Sequence, residues 1–113
     1  MKLAQLFAIY PQLKWGDFPM AEVKQICDDS REVGEGSVFI AVRGQSFDGH
    51  RFLPDVCTKG AVAVVVEDES LIPKLYKGAV VRVQDTREAL NNLASRFYGE
   101  PARQLFCVGV TGT

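Results

Sequence analysis

The order of hydrophobic patterns predicts an α/β protein, with helices layered on a largely parallel or mixed sheet. Three observations carry that expectation. Short apolar runs rich in β-branched residues recur at 38–42 (VFIAV), 61–66 (AVAVVV) and 79–83 (AVVRV). Segments with helical spacing stand between or after them, the clearest being 86–98, where Leu90, Leu93, Ala94 and Phe97 fall at i, i+3, i+4 and i+7. Strands alternating with helices call for crossover connections, and crossovers make neighbouring strands parallel.

The elements follow in order. Leu3, Leu6, Phe7 and Tyr10 sit on one face of a short N-terminal helix. Residues 11–19, with Pro11, Gly16 and Pro19, read as a loop. Residues 22–27 alternate polar and apolar, as a half-buried strand does. An acidic turn, Asp28-Asp29-Ser30-Arg31, leads through Gly34 and Gly36 into 38–42, which is apolar on both faces and so a central strand. A second polar loop, residues 43–50, follows. Phe52, Leu53, Val56 and Cys57 return to helical spacing, with Pro54 tolerable only in the first turn and Gly60 placed to end the helix. Residues 61–66 and 79–83 are strands, with a short helix expected at 71–76 despite Pro73. Asp85 and Glu88 supply the cap of the 86–98 helix, and Gly99 and Pro101 its stop. Residues 105–110 (LFCVGV) are a last strand, running into the turn Gly109-Val110-Thr111-Gly112-Thr113.

Composition bounds the function. At 113 residues and 47% apolar the chain has material for one domain with a real core. A net charge of −1 gives no basic patch for nucleic acid or an anionic membrane. No apolar run approaches a membrane span, and residues 1–9 are too short, and broken by Gln5, for a secretory signal. Cys27, Cys57 and Cys107 are odd in number, widely spaced and apolar in their surroundings, so reduced, inaccessible thiols in a cytoplasmic protein are expected. The lone His50 has no second histidine or spaced cysteine to make a metal site, and no nucleophile–base set stands out.

Two polar loops joined by one short buried strand can converge on a ligand. Ser30 follows one proposed strand and Gln45 the next, so parallel strands would put both at carboxyl ends, where open α/β sheets bind ligands. Two solvated turns around a core strand is the competing reading. Asp29 can bond to its own loop, and Arg31 can pair with Asp29 or Asp48 at the surface. The closing GVTGT resembles the start of a phosphate-binding loop, whose lysine and helix would lie further on.

Together these motifs resemble the Mur ligases, ATP-dependent enzymes that add amino acids to the peptidoglycan precursor. The resemblance rests on Asp29-Ser30-Arg31, on residues 36–44 (GSVFIAVRG) and 47–52 (FDGHRF), on 60–66 (GAVAVVV), on 97–101 (FYGEP) and on the ending 108–113 (VGVTGT). It implies a single Rossmann-like three-layer domain over 1–108, holding the UDP part of UDP-N-acetylmuramoyl-L-alanyl-D-glutamate. It further implies that 109–113 begin the central ATP-binding domain, with Thr111, Gly112 and Thr113 in its phosphate loop, so that the chain is cut at a domain boundary.

The FYGEP and GVTGT pieces are most similar to the MurE branch, which adds the third stem-peptide residue. The MurF branch and a stand-alone nucleotide- or partner-binding module are the alternatives. Carried over by position, the ligand contacts are Asp28, Ser30, Gln45, Ser46 and Phe47. Many members carry an apolar residue where this chain has Asp28. A carboxylate would repel a diphosphate, so Asp28 is expected to act through its backbone or to face a uracil N–H. ATP and Mg²⁺ would serve the full-length ligase, with no catalytic residue and no bound cofactor in this stretch. The expected protein is monomeric, with neither nucleic acid nor membrane as partner.

Overall fold

In the computed structural model, residues 1–10, 13–14, 16–17, 20–43 and 48–102 are described, with side chains to residue 98. They form α1 (Leu3–Leu6), β1 (Leu13–Lys14), β2 (Gln25–Cys27), β3 (Ser37–Ile40), α2 (Leu53–Val56), β4 (Ala63–Val66), β5 (Ala79–Arg82) and α3 (Thr86–Ala102). Single 3-10 turns at Ser30–Glu32 and Gly49–Phe52 follow β2 and precede α2. The sheet order is β1-β5-β4-β3-β2. β2 to β5 run parallel, and β1 lies antiparallel to β5 at one edge.

Alternation along the strands divides the core into two layers. Val38, Ile40, Ala63, Val65, Ala79 and Val81 face α1 and α3, where they meet Leu3, Leu6, Phe7 and Leu93. Phe39, Ala41, Val64 and Val66 face the other way, against Leu53 and Val56 of α2 and Val33 of the first loop. All four residues of β3 and of β4 are buried, because helices or loops cover both faces of these central strands. The three-layer α/β arrangement is therefore the one the sequence predicts.

Several local expectations change. Residues 71–76 form turns: Ile72 N–H reaches Glu69 and Tyr76 N–H reaches Pro73, each as an isolated bond. Pro73 contributes no N–H to a helical ladder, and Tyr76 is instead held by its hydroxyl, which donates to Ala61 O at 2.8 Å. α3 runs through Gly99 and Pro101 to Ala102. Pro101 brings no N–H, and α3 ends one residue beyond it, so the proline stands in the last turn. Pro54 does sit in the first turn of α2, and Gly60 ends that segment at φ +99. A side chain at Gly60 would stand 3.1 Å from the Cα of Glu35, so the α2–β4 connection passes close under the first loop.

β2 is an edge strand, and α3 covers its open side. The Tyr98 hydroxyl accepts from Ile26 N at 2.9 Å and donates to Ile26 O at 3.4 Å, occupying outward-facing groups that could otherwise pair with another chain. Cys27 is buried and Cys57 half-buried, and desolvation pushes both thiols up to about 11. Cys57 is thus more open than expected, and Cys107, like the proposed strand 105–110, lies outside the described residues.

Candidate functional site

Because β2 to β5 are parallel, the segments that follow them leave the sheet along one carboxyl edge. That edge collects the Asp28–Arg31 turn after β2, Arg43 and Asp48 after β3, Glu67 and Asp68 after β4, and Gln84 after β5. Ser30 and the two described ends of the second loop, Arg43 and Asp48, therefore share an edge. Gly36 does not: it precedes β3, at the amino edge, and its N–H bonds to Gly60 O. The glycines of the first loop turn the chain back into the sheet and lie away from the proposed ligand edge.

The first turn is built from its own residues. Asp29 caps it, accepting from Arg31 N at 2.9 Å, and grips the Arg31 guanidinium through both carboxylate oxygens, at 3.1 and 2.8 Å. The hydrogen bonds from Arg31, side chain first, hold the Asp29 carboxyl down to about 2. Below the turn, buried Ser37 accepts at its Oγ from Gly34 N and from Gln25 Nε2. Gln25 also donates to Glu32 O at 2.8 Å, and Lys59 Nζ donates to Ser30 O at 3.1 Å. These ties leave the Ser30 hydroxyl without a hydrogen bond among the described residues. It stands in a cleft of about 350 Å³ lined by Asp28, Asp29, Ser30, Arg31 and Phe52. Asp28 is exposed there and has no ion pair among the described residues.

The second loop is described at its two ends. Arg43 and Asp48 pair as an antiparallel bridge, and Arg43 Nε meets Asp48 Oδ2 at 3.2 Å. Gly49 N donates to Val42 O at 2.9 Å, and a side chain at Gly49 would come within 3.0 Å of the Val42 backbone. Only glycine lets the returning chain lie this close to the end of β3. Burial would raise the Asp48 carboxyl, but hydrogen bonds from the His50 N–H and ring, with the Arg43 charge nearby, hold it below its usual value.

Asp28 and Ser30 are brought together with Phe52, an aromatic wall that the loop motif alone did not assign. Gln45, Ser46 and Phe47, and likewise Thr111, Gly112 and Thr113, lie outside the described residues. Sequence reasoning also passed over Arg43 and Glu67. The available signal for Arg43 was its place directly after a central strand; for Glu67 it was the first carboxylate after AVVV. Arg31 pairs with Asp29, which leaves Asp48 to Arg43 and His50. Among the described residues no cluster of His, Cys, Asp and Glu could hold a metal ion.

Comparison with known proteins gives this edge a context. A protein of Cytophaga hutchinsonii named UDP-N-acetylmuramoyl-L-alanyl-D-glutamate–2,6-diaminopimelate ligase is 51% identical over 92 residues, covering 81% of this chain and 19% of its own length. The Chlorobium phaeobacteroides protein of the same name is 42% identical over 118 residues, covering 100% of this chain and 22% of its own. The chain thus spans about a fifth of the length of the relatives it matches. Among solved structures, a crystal structure of MurF from Acinetobacter baumannii superposes with a TM-score of 0.66 at 32% identity, over 83% of this chain and 20% of that one. The MurF ligase of Thermotoga maritima in complex with ADP gives 0.55 at 31% identity, over 66% and 16%. Residues 22–98, from the strand before the acidic turn to the tyrosine that covers its edge, match the family described as "Mur ligase family, catalytic domain". With both loops, every parallel strand and most of α3 inside that match, the chain belongs to the Mur ligase family.

Proposed function

We propose that this chain is the substrate-holding domain of a MurE-type ligase, binding the UDP end of UDP-N-acetylmuramoyl-L-alanyl-D-glutamate at the carboxyl edge of its sheet. The observation that carries the reading is the cleft at Asp28–Arg31, where an unengaged Ser30 hydroxyl stands beside the Phe52 ring, in a chain 51% identical to a ligase named for that substrate. Ser30 can donate to or accept from the nucleotide, and Gln45, Ser46 and Phe47 would complete the contact from the second loop. The solved MurF structures favour a MurF-type protein as a second reading. Their 31–32% identity against 42–51% for the diaminopimelate ligases places the weight on the first.

In the whole enzyme, ATP with Mg²⁺ would activate the substrate carboxylate as an acyl phosphate, and an amine would displace the phosphate. The names of the relatives make 2,6-diaminopimelate the proposed incoming amine. Thr111, Gly112 and Thr113 would open the phosphate loop, but no lysine follows Lys77 in this sequence. The chain by itself is therefore expected to turn over no ATP, and phosphate release above a mock preparation would contradict that. The nucleotide reading is tested by calorimetric titration with UDP and with the full precursor. Ser30→Ala should weaken binding by about 0.5–1.5 kcal/mol, the worth of one ordinary hydrogen bond. NMR shifts confined to α3, with Ser30 and Gln45 silent, would place the site elsewhere.

A further inference from the structure

We propose that His50 is a positioning residue, which sets Arg43 and Asp48, the two ends of the second loop, against the end of β4; the inference rests on the nucleotide reading above. His50 is only 4% exposed, and both ring nitrogens are committed. Nε2 accepts from the backbone N–H groups of Glu67 at 2.9 Å and Asp68 at 3.3 Å, so it presents its lone pair and carries no proton. The ring hydrogen of the neutral imidazole is then on Nδ1, which donates to Asp48 Oδ1 at 2.6 Å.

From Asp48 the connections continue. Its Oδ1 also takes the His50 backbone N–H, its Oδ2 meets Arg43 Nε at 3.2 Å, and Arg43 Nη1 reaches Glu67 Oε1 at 3.5 Å. The path from imidazole to Asp48, Arg43 and Glu67 returns to the imidazole through the Glu67 N–H. A phenyl ring would fill the same space. What the imidazole adds is a fixed set of directions: one nitrogen aims at the loop end and the other at the turn after β4. His50 is the buried member of this circuit, so displacing Asp48 or the turn after β4 leaves a buried ring nitrogen unsatisfied. The loop ends cannot shift from β4 without breaking a bond to the imidazole, whereas without His50 their side-chain tie to the end of β4, among the described residues, would be the half-exposed Arg43–Glu67 ion pair, of small worth.

The test is calorimetric titration of the chain with UDP, at a temperature where every variant is folded by circular dichroism. His50→Gln keeps an amide oxygen for the β4 N–H groups and loses the donor to Asp48. UDP affinity should fall about 10-fold in His50→Gln, the loss expected of a hydrogen bond to a charged group. Asp48→Ala, which removes the acceptor, should lose a similar factor, and the double variant no more than the worse single one, since both act through one bond. Ser30→Ala added to His50→Gln should still subtract its own full factor. Nitrogen-15 shifts of the wild-type ring should report protonation at Nδ1 alone. His50→Gln binding UDP as tightly as wild type, or losses that simply multiply in the double variant, would overturn the inference alone. A wild-type chain that takes up no UDP would overturn the nucleotide reading and this inference with it. Should His50→Gln fail to fold, wild-type affinity in Asp48→Ala is itself enough to reject the proposal.

Discussion

Phe39→Ala should lower the free energy of unfolding by about 3–5 kcal/mol, the range for an aromatic ring removed from a packed core. Phe39 is fully buried in β3, a strand with β2 on one side and β4 on the other. Its ring belongs to the layer formed with Leu53, Val56, Val64 and Val66. The cover on this face is α2, a single turn of four residues, tied into the chain on one side by the Gly49 approach to β3 and on the other by Gly60. So short a cover has little freedom to slide into the space, and most of the cavity should persist. Domains of this size are stable by about 5–15 kcal/mol, so the loss takes from about a fifth to the whole of that stability. Urea unfolding measures it, through the midpoint at unchanged slope. A loss under about 1.5 kcal/mol would mean that the layer collapses onto the vacancy.

Glu67→Ala should cost about 2–4 kcal/mol, because it strands the start of α3. Glu67 Oε2 accepts from Thr86 N at 2.9 Å and from Thr86 Oγ1 at 3.1 Å, and Thr86 is only 1% exposed. Water cannot easily replace that carboxylate, so two buried donors lose their acceptor, while Arg43 loses a partner. Asp85 would remain as a cap, accepting from Arg87 N and Glu88 N, so the helix should survive while its attachment to β4 weakens. Glu67→Gln keeps an acceptor oxygen and should recover at least half of the loss. Denaturation of both variants, with amide exchange at Thr86, checks this. Equal stability of Glu67→Ala and wild type would show that Thr86 finds another acceptor.

How much of the site could be read from the chain depends on how local each feature is. Asp29, Ser30 and Arg31 make a turn whose partners are two residues apart, and the acidic run before a glycine loop announced it. The shared edge of the two loops followed from parallel strands, which the alternation of strands and helices implied. Phe52 and Lys59 join the first turn across 22 and 29 residues of sequence, and nothing in their local spacing marks them for it. His50 looked like an isolated histidine because its acceptor contacts are with backbone N–H groups, 17 and 18 residues on, which have no residue type to recognise.

By itself the sequence determined what depends on period and on local hydrogen bonding. That covers the apolar runs of β3 and β4, buried on both faces, the Asp85 cap and apolar stripe of α3, and the first-turn place of Pro54. These hold because a strand's side chains alternate and a helix's recur every 3.6 residues wherever the strand or helix stands. The tertiary structure decided the rest. β1 is two residues long, too short for any period, and exists because β5 offers an edge to pair with. Residues 71–76 have the spacing of a short helix, but Pro73 and the anchoring of Tyr76 to Ala61 leave them as turns. α3 outruns its stop signals, and the Glu67 tie at its start lies 19 residues back in sequence. For β1, for the anchoring of Tyr76 and for the start of α3, the deciding energy is a contact between residues far apart in the chain. Such contacts exist only once the sheet has formed, so local propensity cannot contain them.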